Sequence, residues 1–104
     1  MAAYLPIVYA LYLLRKSDKP LIGQMLSDDI IGRQALKEKE ASSFGLDNDK
    51  ILLIYEGSEE GNKRLLDLFK DNITPLDSAK AEEVYNLIKE EESKAEGGMG
   101  FLFG

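Results

Sequence analysis

The chain contains no cysteine, no histidine and no tryptophan among its 104 residues. Without cysteine it can form neither a disulfide framework nor a thiolate metal site, and it offers no cysteine nucleophile. Without histidine it lacks the usual general base near neutral pH and the commonest transition-metal ligand, so a Ser-His-Asp triad cannot form within this chain. We therefore expect a protein that is not an enzyme and that uses no cofactor or metal.

The charge balance is acidic, with 19 Asp and Glu against 13 Lys and Arg and a formal net charge of −6 at pH 7. Phosphate contacts require clustered cations, and the adjacent basic pairs are Arg15-Lys16 and Lys63-Arg64, so we expect no nucleic-acid partner. The longest nearly apolar run, residues 4–14, has eleven residues. This is too short to cross a hydrocarbon core of ~30 Å, and the features of a signal peptide are missing. We expect a cytoplasmic protein without a membrane partner.

The apolar runs predict a small α+β domain. Residues 4–14 are apolar on every face, and their β-branched and aromatic side chains favour a buried strand, although a helical segment in a mostly-α domain is the alternative. The polar segment 15–20 indicates a turn, so the second run, residues 21–26, would complete a β-hairpin. Residues 50–55, KILLIY, predict a third strand.

About three helices are expected to pack against these strands. The first would begin at Ser27 and fade near Ser43, and the second would run from an N-cap at Ser58 to about Asp71. The last would run from about residue 75 to 94, because Thr74-Pro75-Leu76-Asp77 has the form of an N-cap and capping box. Residues 1–95 would be one globular domain, and residues 96–104 a flexible apolar tail.

Several short patterns suggest chemistry, but ordinary structure accounts better for each. Gly57-Ser58 between a strand and a helix could hold an anion, yet acids follow at once and would repel phosphate. Asp47-Asn48-Asp49 begins like a calcium loop, but the continuation is apolar. Asp28-Asp29 is expected on a solvated helix face. The five tyrosines are expected to close the core with their hydroxyls at its edge; they are Tyr4, Tyr9, Tyr12, Tyr55 and Tyr85.

The final fifteen residues, EEESKAEGGMGFLFG, change character twice. An acidic stretch passes through a short glycine-rich segment into a dense apolar end, and large apolar side chains at a terminus are not what solubility favours. The apolar anchors of a candidate partner-binding segment are Met99, Phe101, Leu102 and Phe103. The acidic residues that precede or flank them are Glu90, Glu91, Glu92 and Glu96.

This segment resembles the carboxyl-terminal tail of the acidic ribosomal stalk proteins of archaea and eukaryotes. In that family an acidic stretch ends in a short Met/Leu/Phe motif that docks in a groove of translational GTPases such as elongation factor 2. The resemblance implies a protein partner of that class and assigns the anchoring role to the apolar residues 99–103. It covers about fifteen residues, and the strand KILLIY stands where the family has a long linker.

Other interpretations of the segment stay open. The apolar end could fold back into the core of its own domain, because small domains are short of apolar area. It could also dock on a second copy and form a homo-oligomer. The alternative function is a small-ligand-binding or carboxylate-based enzyme domain that uses the tyrosines and the Gly57-Ser58 turn.

Overall fold

The computed structural model describes the backbone of residues 8–103 and the side chains of residues 8–93. Short 3-10 turns join several of its elements. The strands and α-helices are β1 (Val8–Arg15), α1 (Pro20–Ser27), β2 (Ala35–Glu40), β3 (Lys50–Gly57), α2 (Glu59–Phe69), β4 (Ile73–Pro75) and α3 (Ser78–Phe103).

The four strands form one sheet in the order β2-β3-β1-β4, and every neighbouring pair is antiparallel. The helices α1 and α2 each connect two strands that are not neighbours: β3 lies between β1 and β2, and β1 lies between β3 and β4. This is the split βαβ arrangement of ferredoxin-like folds, with α3 added after it. The expected α+β class is confirmed, and the mostly-α alternative is excluded because β1 is a strand.

The central strands β1 and β3 bury side chains on both faces of the sheet, so their sequences are apolar without alternation. One face packs against α1 and α2, and its buried residues are Tyr12, Leu14, Ile22, Met25, Ile31, Ile51, Leu53, Tyr55, Leu65, Phe69 and Ile73. The other face packs against α3 and the turn at 41–44, and its buried residues are Leu11, Ala41, Phe44, Leu52, Ile54, Val84 and Ile88.

The second apolar run is a helix, so the hairpin predicted for the first two runs is wrong. Residues Pro20–Ser27 form α1, with Pro20 in its first turn. Proline suits that position because its missing N–H would be unpaired there in any case. Ile22 and Met25, three positions apart, are the buried residues of this helix. The hairpin of this fold is instead formed by β2 and β3.

The helix predicted from Ser27 to about Ser43 is also wrong, because residues Ala35–Glu40 form the edge strand β2. The alternation of Lys and Glu in this segment suits a helix by propensity, but pairing with the buried strand β3 outweighs a preference of a few tenths of a kcal/mol per residue. The turn Ala41–Phe44 then ends at Gly45, whose φ of 75° lies in the left-handed region that favours glycine.

The last helix begins later than predicted. Thr74 and Pro75 belong to β4, where Pro75 lies opposite Tyr12 on an edge strand that does not need its N–H. Asp77 supplies the cap instead, since its carboxylate accepts a hydrogen bond from the Lys80 N–H at 3.3 Å. α3 follows from Ser78.

α2 agrees with its prediction and approaches the sheet closely. The Ser58 hydroxyl accepts a hydrogen bond from the Gly61 N–H at 3.1 Å, and Leu65 and Phe69 are buried. A Cβ at Gly61 would overlap the Tyr55 hydroxyl and the Gln34 side chain. Glycine therefore sets the distance between α2 and β3.

Gly61→Ala is expected to destabilise the domain by about 1–3 kcal/mol, because overpacking forces neighbouring side chains to move. Gly23→Ala is the matched control: the same Cβ on α1 meets nothing within 4 Å. It should stabilise the domain by about 0.5–1 kcal/mol, because alanine is the better helix former. Urea unfolding of both variants measures the difference, and equal effects would contradict the packing argument.

Candidate functional site

One cluster of charged and aromatic side chains joins α3 to the sheet. Tyr85, Lys89 and Glu92 are four and three positions apart and therefore share a face of α3. Glu56 from β3 and Lys37 from β2 face them. We call these five residues the Glu56 network.

The network is connected by short polar contacts. The Lys89 ammonium lies 2.9 Å from Glu56 Oε2, and the Tyr85 hydroxyl donates to the same oxygen. Lys37 Nζ lies 2.7 Å from Glu92 Oε2, and Lys89 also reaches Glu92 at 3.5 Å. Two cations and two carboxylates thus neutralise one another across the contact between α3 and the sheet.

Aromatic contacts extend the network to β1. The rings of Tyr9 and Tyr85 stack with centroids 3.8 Å apart and planes inclined by 10°. Lys89 Nζ lies 5.3 Å from the centroid of the Tyr85 ring, within the range of a cation–π interaction. Tyr85 therefore has a hydrogen bond at its hydroxyl and a partner on its ring.

The surroundings of Glu56, Glu92 and Lys89 shift their pKa values in the direction that keeps all three side chains charged at neutral pH. Partial burial on its own would raise the pKa of Glu56, but hydrogen bonds from Tyr85 and Lys89 outweigh it and lower that pKa. Lys37 lowers the pKa of Glu92, and Glu56 raises the pKa of Lys89. A general acid needs a carboxyl whose pKa is raised towards 7. The network is suited to holding α3 in place rather than to proton transfer.

A second ion pair connects the turn after α1 with α2. Arg64 Nε donates to both carboxylate oxygens of Asp28, at 2.9 and 2.8 Å, and the Ile30 and Ile31 N–H groups donate to Oδ2 at 3.0 Å. The Arg64 hydrogen bond and these backbone donors hold the pKa of Asp28 far below its usual range. The expectation that Asp28 lies on a solvated helix face is therefore wrong. A local sequence signal could have indicated that Asp28 caps a turn, but no local signal indicates its ion pair with Arg64, which lies 36 positions away.

Two of the five tyrosines, Tyr12 and Tyr55, are buried in the core as expected, whereas Tyr9 is 36% exposed and Tyr4 lies outside the described residues. The Tyr55 hydroxyl donates to the Ser58 carbonyl at 2.6 Å, and the Tyr12 hydroxyl donates to Asn62 Oδ1. Burial raises the pKa of Tyr12 to about 12. Beside Tyr12 and Asn62 lies a cavity of about 340 Å³ that Tyr9 and Leu66 also line. It is large enough for a small molecule.

The two short patterns that were considered as an anion site and a calcium loop form a helix cap and a turn. The Ser58 N–H donates to Gln34 Oε1 at 3.1 Å, so part of the amino end of α2 is already occupied by the chain itself. Asp47 forms a tight turn in which it pairs with Lys50 at 3.8 Å. Among the described residues, no group of three or more acidic side chains could hold a metal ion.

The predicted partner-binding residues fall into two groups. Glu90 and Glu91 are exposed on α3, whereas Glu92 is half-buried in the Glu56 network. The side chains of Glu96, Met99, Phe101, Leu102 and Phe103 lie outside those that the structure describes. The predicted tail at 96–104 and its anchors stay predictions. Among the predicted site residues, Glu92 is tied to the sheet by its ion pair with Lys37 at 2.7 Å.

Comparison with known proteins identifies no relative: no family model matches the chain, and no curated protein or solved structure is significantly similar to it. Within the part of the chain that the structure describes, no helix is long and apolar enough to cross a membrane.

Asp28→Asn is expected to destabilise the domain at neutral pH but not in strong acid. The pKa of Asp28 is lower in the folded state than its ordinary value of 3.8, so its contribution is complete above that value and is lost as the pH falls through the folded-state pKa. The unfolding curves of the variant and the wild type, measured from pH 7 to pH 2, should therefore converge towards acid. A constant difference over this range would contradict the assignment.

Removing the Tyr85 hydroxyl is expected to cost about 1.5–3 kcal/mol, the usual value for a hydrogen bond to a charged group. The double-mutant cycle of Tyr85→Phe and Glu56→Gln separates this interaction from the rest of the network. The two changes should be clearly non-additive in urea unfolding at pH 7. Tyr9→Phe, which keeps the stacked ring, is the control and should combine additively with Glu56→Gln.

Proposed function

We propose that this chain is a non-enzymatic, cytoplasmic interaction protein whose carboxyl-terminal segment docks on a protein partner, specifically a translational GTPase. The observation that carries the proposal is the order of residues at the end of the chain: an acidic stretch precedes four large apolar side chains within the last six residues. The likeness to the tails of acidic ribosomal stalk proteins supports this class of partner.

The way in which α3 is held supports a fixed starting point for the segment. Val84 and Ile88 are buried against the sheet, and the contacts of Lys89 and Glu92 follow within the next turn. Glu90 and Glu91 are exposed on the same helix. A partner could therefore approach these two carboxylates without opening the core.

The apolar anchors have a spacing that suits a groove. Met99, Leu102 and Phe103 are related as i, i+3 and i+4, which places them on one face of a helix, the pattern of helix-in-groove recognition. Burial of these three side chains contributes roughly 4.5–9 kcal/mol, and ordering a segment costs about 2–5 kcal/mol. The difference is at most about 7 kcal/mol, which corresponds to weak, reversible binding at about 10 μM or weaker.

The test uses the full chain and a purified elongation factor 2 in an isothermal titration. The wild type is expected to bind at about 10 μM or weaker, and Phe101→Ala/Phe103→Ala to bind at least tenfold more weakly, because about 1.4 kcal/mol of lost apolar burial is tenfold in affinity. Leu26→Ala/Leu68→Ala is the matched control, since both leucines are 51% exposed on α1 and α2. It should bind as the wild type does.

NMR relaxation of the backbone amides of residues 90–104 distinguishes docking on the factor from fold-back and from docking on a second copy. Order parameters that rise when the factor is added support docking of the segment. Order parameters as high as those of the core in the free monomer would instead indicate fold-back. High values that fall on dilution would indicate docking on a second copy. Equal affinity of the wild type and the phenylalanine variant would remove the anchors from the interface.

A further inference from the structure

The strand β2 is an open edge of the described sheet. β3 is its neighbour, and no other described strand lies beside it. The backbone groups of successive residues in a strand point alternately to its two neighbours. The Leu11 carbonyl accepts from the Leu76 N–H on the β4 side, so the backbone groups of Tyr12 point to β3, and in β3 those of Ile54 point to β2. Ile54 pairs with Lys37, so the backbone groups of Leu36, Glu38 and Glu40 point away from β3. These N–H and C=O groups are in position to pair with an added strand.

The side chains of this edge are sorted by charge between the two faces of the sheet. Lys37 and Lys39 share the α3 face, since Lys37 reaches Glu92 at 2.7 Å. Glu38 and Glu40 share the opposite face, where Glu38 lies 3.9 Å from Lys19 at the start of α1. The side chains of β2 itself therefore carry one sign of charge on each face; Lys37 is already paired with Glu92, whereas Lys39 forms no ion pair with another described residue.

This sorting disfavours pairing with a second copy. A two-fold axis perpendicular to the sheet makes the two edges antiparallel and keeps the same face uppermost in both copies. Residues directly opposite each other then come from the same face, so lysine meets lysine and glutamate meets glutamate. Like charges directly opposite are destabilising. The strand suits a partner in which the pattern is reversed.

A cavity of about 350 Å³ adjoins the same edge. Lysines at four positions line it, and they are Lys16, Lys19, Lys39 and Lys50. Lys19 and Lys50 have acidic partners at 3.9 and 3.8 Å, whereas Lys16 and Lys39 form no ion pair with another described residue. Two glutamates also line the cavity, so the lysines remain in excess in a protein that is acidic as a whole.

We propose that the β2 edge binds an extended segment of another protein by strand addition, and that this segment carries carboxylates at alternate positions. The carboxylates would lie opposite the lysines on the α3 face, and the cavity would receive a further acidic side chain at the end of the strand. Backbone hydrogen bonds supply affinity in this mode, and the alternate side chains supply specificity. The surface is separate from the carboxyl-terminal segment and does not depend on its function.

The direct test follows the backbone amides of the full chain by NMR during titration with an eight-residue peptide of alternating Glu and Thr. The shifts should centre on residues 36–40, and a neutral peptide of alternating Gln and Thr should bind more weakly. Lys39→Gln should weaken binding of the acidic peptide by about two- to fivefold. Lys63→Gln, on the exposed side of α2, is the matched control and should not change it. Equal binding of the two peptides, or shifts confined to other elements, would overturn the proposal.

A self-association experiment tests independently whether like charges disfavour pairing between the β2 edges of two copies. In the register that sets residue 38 opposite itself, residue 37 lies opposite residue 39 of the second copy. Glu38→Thr/Lys39→Glu then makes the edge self-complementary, and Glu38→Thr/Lys39→Gln does not. Sedimentation velocity should show a larger dimer fraction for the first variant than for the second or the wild type. Equal dimer fractions, or a wild-type dimer joined through β2, would contradict the argument that like charges keep the β2 edges of two copies apart.

Discussion

Ile51, Leu53 and Tyr55 face one side of the sheet, and Leu52 and Ile54 face the other, so water must be excluded from both sides of β3. A layer of helices on a single side would leave one of these sets exposed. The split βαβ connections place α1 and α2 on the same side, and the second side is covered by α3 and the turn Ala41–Phe44. The helix that leads to the end of the chain is therefore also part of the core.

The way α3 is held combines apolar and ionic contacts with different roles. Val84 and Ile88 supply burial, which is not directional. Tyr85, Lys89 and Glu92 pair with side chains of β2 and β3, which requires one rotation and one position of the helix. Because both signs of charge are present in equal number, each ion is compensated where it meets the sheet. The position of the exposed Glu90 and Glu91 follows from this register.

The sequence predicted the elements that are buried on both sides and failed where an element lies at an edge. KILLIY and the strand before Arg15 were recognisable because a long apolar run has to be buried wherever the chain places it. The amino end of α2 was recognisable because Ser58 caps it locally. β2 was missed because its Lys and Glu side chains follow helical propensity, and its pairing with β3 is a contact across the fold. The partners of Glu56 and Asp28 were missed for the same reason, since they lie 29 and 36 positions away in the sequence.

The interleaved strand order has a consequence for how the chain can assemble. The segment up to Gly45 contains β1 and β2, which are not neighbours, and the segment after it contains β3 and β4, which are not neighbours either. Neither half contains two strands that pair in the sheet, so either half on its own would leave both edges of each of its strands unpaired. The native sheet therefore forms only when strands of the two halves pair with each other. This pairing requires long-range loop closure, which is costly in entropy, and a chain divided in the loop at 46–49 would have to reassemble from two fragments.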